Sequence, residues 1–402
     1  MKTIFVQIAS YRDPELVPTI KDCIAKAKHP ENLTFGVCWQ NTPEEVGVED
    51  FLKSVPKLKY DNIPHFESKG LCWARNLIQK MYEGEKYTLQ IDSHHRFLEN
   101  WDVELIEMMR MTESKKPLIT SYAGMYDPFK EKLLNTDPYK MVADRFTDSG
   151  TIIFRPHSIP GYEELTKPIP ARFVSGHFFF TYGEHCHEYV YDPNIYFAGD
   201  EISLSIRSYT LGYDLFHPHK TVVWHEYTRK NRVKHWDDFN KENKNKGHIK
   251  NIWYEIDSEG KKRLRQLLKE EDNGIDLGEY GLGNVRTHEE YERYSGINFA
   301  KRMLHPDTKN GKNPPINDDT DWHKMEEICY KLNLRIPEVK EENHNFIYVG
   351  VEDELGNVLF REDLKKYQNT VEASFKSMRK PYKYVVWENF GEKWGERTDI
   401  KL

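Results

Sequence analysis

Cysteine is scarce in this sequence, and an excess of positive charge is missing. The 402 residues hold five cysteines, Cys23, Cys38, Cys72, Cys186 and Cys329, an odd number with no CxxC pair. That pattern argues against a disulfide framework and fits buried thiols in a reducing compartment. Lys and Arg total 58 against 65 Asp and Glu, a net charge of −7, so no global cationic field draws in nucleic acid. No stretch reaches the roughly 18 to 20 apolar residues that cross a bilayer. The start, MKTIFVQIASYRDPE, places Arg12 and Asp13 directly behind a short apolar run, unlike a secretory signal. The expectation is a protein of cytoplasmic type with no transmembrane segment. What is plentiful is aromatic: 24 Tyr, 20 Phe and 9 Trp, with 38% hydrophobic residues overall, which excludes disorder. The length suits one large domain with additions, or two to three ordinary domains.

The chain opens as strand, helix, strand. Thr3 to Ala9 reads as a buried strand ending in the polar loop Ser10-Tyr11-Arg12-Asp13. Pro14 suits a first helical turn, and Leu16, Ile20, Cys23, Ile24 and Ala27 recur at helical spacing before a second strand, Leu33 to Trp39. This is the opening of an α/β domain with a parallel sheet. A helical stripe over 68–81 leads to an apolar strand, Tyr87 to Ile91, that runs into Asp92-Ser93-His94-His95-Arg96. A helix over 100–111, strands at 117–122, 150–155, 172–182 and 221–224, and a helix over 200–211 follow, while 228–272 reads as exposed helices and loops. Both polar clusters, at Ser10–Asp13 and at Asp92–His95, then fall at carboxyl ends of strands, where open α/β sheets bind ligands. Residues 1–304 read as the main domain, 305–339 as a linker or helical connection, and 340–402 as a small β-rich domain with a hairpin across Leu355-Gly356-Asn357.

Asp92-Ser93-His94 is the most informative element. In extended chain its carboxylate and imidazole face one side and can reach one ion, although a capping Asp beside a surface histidine pair is the plainer reading of the tripeptide alone. Lys69-Gly70-Leu71-x-x-Ala74-Arg75 puts basic groups at a helix entrance, where anions bind. Gly199-Asp200-Glu201 sets paired acids at a helix start, and His225 ends an apolar strand.

Taken together, the segments IFVQIASYRDPELVPTIKDCIAKAKHPENLTFGVCWQ, GLCWARN, QIDSHHRF, FVSGHFFFT and AGDEISLSIRSYTLGYDLF resemble the GlcNAc transferases related to the Skp1 hydroxyproline GlcNAc-transferase. The resemblance covers roughly residues 1–300 and extends, more distantly, to polypeptide GalNAc-transferases, whose Gly-Gly-Glu corresponds to Ala198-Gly199-Asp200. It implies an α/β GT-A fold that binds a UDP-sugar through a divalent metal. Asp92, His94 and His225 would be the metal ligands, with Mn²⁺ favoured and Mg²⁺ the alternative because imidazole suits the former. Ser10, Tyr11, Arg12 and Gln40 would line the uridine pocket, with Ser93 beside Asp92. Lys69, Gly70 and Arg75 would hold the nucleotide from the adjoining helix. Gly176 and His177 would lie beside the sugar, and Asp200 and Glu201 would divide donor and acceptor contacts between them, in either order. The implied reaction is a retaining transfer of GlcNAc, or a similar N-acetylhexosamine, to a hydroxyl on a protein or glycan. Two other readings stand beside it. A metal-dependent phosphoester hydrolase would use Asp92, His94 and His225 but needs a second ligand cluster about 4 Å away. A non-catalytic carbohydrate- or protein-binding module would keep the fold without turnover.

Overall fold

The computed structural model describes residues 2–147, 149–230, 232–316, 328–338, 344–391 and 393–402. The chain divides into two compact units, residues 1–316 and 317–402. The first is built on an eight-stranded sheet. In spatial order its strands are Ile169–Pro170, Asp214–His217, Pro117–Thr120, Phe178–Tyr182, Tyr87–Asp92, Ile4–Tyr11, Leu33–Asn41 and Leu58–Pro64. The last four run parallel to one another. Phe178–Tyr182 is antiparallel to both of its neighbours.

The central strand, Ile4–Tyr11, shows why a mostly apolar run was needed, with the buried Gln7 donating from Nε2 to Thr88 Oγ1 at 2.9 Å. Ile4, Val6 and Ile8 pack on one face with Leu16, Ile20 and Leu105. Phe5 and Ala9 pack on the other with Ala74 and Ile78. A strand covered on both faces favours apolar residues at every position, and polar ones there must find partners inside. The helices above and below come from the stripes read in the sequence: Leu16–Ala25 buries Leu16, Ile20 and Cys23, and Leu71–Gln79 buries Cys72, Ala74 and Ile78. Each such Ile or Leu withdrawn from water stabilises the fold by about 1.5–3 kcal/mol.

From Ile4–Tyr11 the chain moves to one side, through Leu33–Asn41 to Leu58–Pro64, and Tyr87–Asp92 then joins on the other side. The carboxyl ends of Ile4–Tyr11 and Tyr87–Asp92 therefore flank a switch point, where the connections diverge and leave a crevice. A second, four-stranded sheet (His95–Phe97, Val223–His225, Gly124–Asp127, Lys132–Leu133) starts immediately beyond Asp92. In it His225 pairs opposite His95, which brings the late histidine beside the early cluster.

Three expectations need revision. The segment 172–182 is strand only over Phe178–Tyr182, and its first half is an irregular stretch along the crevice. Within 228–272, Trp253–Leu267 is an amphipathic helix whose Leu264 and Leu267 share a core with Ile202, Ile206 and Tyr291. Within 305–339 lie a short helix, Pro306–Lys309, and a strand, Ile328–Arg335, while 317–327 and 339 fall outside the described residues.

The second unit is all β among the described residues. Val358–Leu364, Phe346–Glu352, Lys383–Asn389 and Thr398–Lys401 form an antiparallel sheet, and Ile328–Arg335 pairs with Thr370–Ser377. Its core holds Leu334, Ile347, Val349, Val351, Val371 and Val386. The hairpin across residues 353–357 is tied by Asp353 Oδ1, which accepts from the backbone N–H of Leu355 and of Asn357 at 2.9 and 2.8 Å.

Candidate functional site

Asp92 ends its strand, His94 follows in the turn, and His225 arrives from the paired strand. Their facing atoms form a small triangle. His94 Nε2 lies 2.9 Å from His225 Nε2, and Asp92 Oδ2 lies 3.6 Å and 3.5 Å from those two nitrogens. Ligands about 2.1 Å from one small divalent ion stand about 3 to 3.5 Å apart, so these edges fit one ion's ligand set. The chemistry of the donors agrees: one carboxylate and two imidazoles suit a first-row transition metal. Among the described residues this is the one group of His, Cys, Asp and Glu atoms with such spacing. Burial drives the His225 pKa well below its ordinary value, which favours the neutral ring; without an ion Nε2 can carry the proton toward Asp92, and an ion would take the place of that proton. Burial opposes ionisation of Asp92, yet the hydrogen bond from His225 and the charge of Arg75 outweigh it and hold the carboxyl far below its usual range.

Arg75 does not reach the crevice. It is fully buried in helix Leu71–Gln79, donating to Asp92 Oδ1 at 2.7 Å, to the Ile91 carbonyl at 2.7 Å and to the Gln7 carbonyl at 3.3 Å. The expected nucleotide contact is therefore corrected: Arg75 fixes Asp92 and the strand ends from beneath. Lys69 is exposed, with its ammonium 5.9 Å from the Trp73 ring, and is absent from both cavities described below. Arg12 is also diverted, clamped by Asp238 at 2.7 and 2.9 Å. Ser10 is wholly buried behind the crevice wall, where its carbonyl accepts from Gln40 Nε2 at 3.0 Å.

Two cavities meet at Asp92. The first, about 140 Å³, is lined by Tyr11, Gln40, Gly70 and Ser93 and, from the later chain, by Tyr196, His235 and Trp236. The second, about 530 Å³, holds Gly176, His177, Asp200, Glu201 and His225 against an apolar wall that includes Ile152, Ile153 and Phe154. Leu71, Phe197 and Arg229 border both.

Asp200 and Glu201 start helix Asp200–Thr210 and sit over Gly176. Glu201 has both oxygens engaged: Oε1 accepts from the Gly176 N–H at 3.1 Å and Oε2 from the Tyr122 hydroxyl at 2.9 Å. Asp200 accepts the Glu201 N–H on Oδ1 at 2.7 Å. A side chain at Gly176 would meet Asp200 Oδ2 at 2.6 Å, so only glycine admits that oxygen so close. Burial raises both carboxyls, backbone N–H bonds counter it, and neighbouring negative charge adds to it, from Asp92 on Asp200 and from Asp200 and Asp92 on Glu201. His177 lines the cavity with its ring centroid 4.5 Å from that of His225. Its Nε2 faces the Ala123 N–H at 3.1 Å and its Nδ1 lies 3.0 Å from Ser175 Oγ, which leaves the ring placed as a wall. Burial lowers its pKa to about 4, so it is neutral.

Sequence reasoning placed Asp13 in a polar cluster at a strand end without giving it a role, and missed Tyr122, Tyr227, Arg229, Arg232, His235 and Trp236. The signal was faint: Arg229, Lys230, Arg232 and Lys234 form a basic run close behind His225, which reads as a solvated surface unless the chain folds back over the crevice.

Comparison with known proteins gives the class first. The mixed α/β sheet opens a cleft at its strand ends, and the family match names what that cleft belongs to. A family model described as Glycosyltransferase (GlcNAc) matches residues 3–55 and 49–301, about three quarters of the chain, and the protein belongs to that family. No curated protein matches the chain. Among solved structures, GalNAc-T7 with UDP, GalNAc and Mn²⁺ aligns over 72% of this chain and 56% of its own, at 13% identity and a TM-score of 0.47. Residues 1–349 of S. aureus TarS align over 56% of this chain and 60% of their own, at 13% identity and a TM-score of 0.37. The same TarS segment with UDP-GlcNAc covers 58% and 60%, at 14% identity and a TM-score of 0.38. The chain thus spans less than two thirds of the length of these structures. No helix among the described residues is long and apolar enough to cross a membrane.

Proposed function

We propose that the protein transfers GlcNAc, or a similar N-acetylhexosamine, from a UDP-sugar to a hydroxyl on a protein or glycan acceptor, with retention of configuration and with a divalent metal held by Asp92, His94 and His225. Kinship with the Skp1 hydroxyproline GlcNAc-transferase, within the wider family, is part of this proposal. The observation that carries it is the ligand triangle at the junction of two cavities. A leaving diphosphate has to sit between the nucleotide that it keeps and the sugar that it loses. When bound, a divalent ion would supply positive charge to that leaving group.

The residues of the chain do the rest. The smaller cavity, with Tyr11, Tyr196, His235 and Trp236, offers aromatic faces to a nucleoside. The larger takes the sugar and the acceptor, with Gly176 and His177 as its floor and Asp200 as the acid that keeps an oxygen uncommitted to Glu201. Glu201 is held on both oxygens by the Gly176 N–H and the Tyr122 hydroxyl, so neither is free to act as a nucleophile. That supports attack from the face that UDP leaves: the acceptor oxygen bonds to the anomeric carbon as the bond from that carbon to the phosphate oxygen breaks, and the acceptor proton passes to the departing phosphate oxygen. The hydrolase reading loses ground because no second ligand cluster exists among the described residues.

The test is UDP release from UDP-GlcNAc, UDP-GalNAc and UDP-Glc, with and without Mn²⁺. Asp92→Ala should lose turnover with an unchanged circular dichroism spectrum. Full turnover in that variant refutes the metal assignment.

A further inference from the structure

For His94 to bind an ion through Nε2, that nitrogen must carry a lone pair, which places the ring proton on Nδ1. Two groups contend for Nδ1. Asp13 Oδ2 lies 2.7 Å from it, and Arg232 Nη1 lies 2.5 Å from it. They have opposite consequences. A carboxylate only accepts, so it calls the proton to Nδ1 and frees Nε2. A guanidinium only donates, so a bond from it requires the lone pair at Nδ1 and puts the proton on Nε2, facing His225.

The surroundings favour the carboxylate. Asp13 has a side chain 1% exposed and is anchored on both oxygens. Its Oδ1 accepts from the Glu15 N–H at 2.9 Å, and its Oδ2 accepts from the Ser93 hydroxyl at 2.7 Å. Arg232 is the less enclosed of the two, at 15%, lies 3.3 Å from Asp13 Oδ2, and lines the smaller cavity. We infer that Asp13, in the loop after the first strand, is a positioning residue that fixes the tautomer of His94 and aims Nε2 at the metal position. Arg232 competes for the same nitrogen until it is drawn to a ligand. This rests on the metal reading above and assigns a role to a residue outside the ligand triangle.

Two measurements test it on the full chain. In the metal-free protein with ¹⁵N-labelled histidine, long-range proton–nitrogen spectra should show the His94 proton on Nδ1. A wild-type ring protonated on Nε2 overturns the inference without any variant. Titration of Mn²⁺ alone, followed by the paramagnetic resonance of the free ion, should give Asp13→Asn an affinity 10- to 100-fold weaker, the usual effect of losing such a partner. Arg232→Gln should bind Mn²⁺ as tightly as wild type or tighter. Asp13→Asn binding within twofold of wild type, with His94 still protonated on Nδ1, overturns the inference and leaves the metal site standing. A wild-type chain that does not bind Mn²⁺ refutes the metal site instead, while the tautomer spectrum still decides what Asp13 does.

Discussion

Replacing Arg75 separates two views of one residue. As a nucleotide contact, its loss would weaken UDP binding and spare the fold. As the buried partner of Asp92, its loss strikes the fold first. Arg75→Met keeps much of the volume but removes the donors to Asp92 Oδ1, to the Ile91 carbonyl and to the Gln7 carbonyl. Breaking a buried ion pair by deleting one partner costs about 3–5 kcal/mol. The Asp92 side chain is 25% exposed, and water reaching it brings the figure to the lower end, about 3 kcal/mol. With an unfolding entropy of about 2.1 cal/mol/K per residue over the 316-residue unit, that lowers Tm by about 4–5 °C. Thermal unfolding without ligand, followed by circular dichroism, reads this directly. Mn²⁺ affinity should fall with it, because Asp92 loses the group that orients it. A variant that melts within 1 °C of wild type, binds Mn²⁺ normally and shows only a raised KM for the UDP-sugar refutes the structural role and restores the nucleotide contact.

Gly176→Ala should cut UDP release at least tenfold, because the new methyl lies 2.6 Å from Asp200 Oδ2 and must swing that carboxyl aside. Its stability should fall by only about 1–3 kcal/mol, the common penalty for overpacking, as read by urea unfolding. The acid pair gives a pH dependence. Both carboxyls are raised by burial, so the folded state holds protons more tightly than the unfolded chain. Their contribution to stability is complete below about pH 4 and is lost as pH rises through the raised values toward and past neutrality. The urea midpoint of wild type should therefore drop more steeply from pH 5 to pH 8 than that of Asp200→Asn. Parallel profiles would show that the pair is not raised.

Much of the first unit was legible because strands covered on both faces are mostly apolar, as at Ile4–Ala9, broken only by the buried Gln7, and at Tyr87–Ile91, where the buried Thr88 and Gln90 alternate with Tyr87, Leu89 and Ile91. Asp92 and His94 were legible for the same reason, since a strand that ends abruptly in an acid and two histidines has left the core at a definite point. Arg75 was misread although the sequence held the clue. It stands four residues after Leu71 and three before Ile78, inside the apolar stripe of its helix, and a charge in that stripe has to be buried and paired. Lys69, two residues before the helix begins, carries no such constraint and is exposed.

The remainder of the site depends on closures that no local pattern encodes. Tyr11 and Arg12 meet Asp238 across more than half of the chain, and Asp13 meets Arg232 over a similar distance. Each residue alone is an ordinary surface polar group, and the basic run behind His225 gives no periodicity to say which side faces inward. What joins them is the position of His225. Pairing Val223–His225 with His95–Phe97 sets the direction in which the following residues leave the sheet, and that direction carries Arg229, Arg232 and His235 over the crevice. One strand pairing thus completes the ligand triangle and roofs the smaller cavity, so substitutions that loosen it, such as a proline at Trp224, should lose metal and nucleotide binding together.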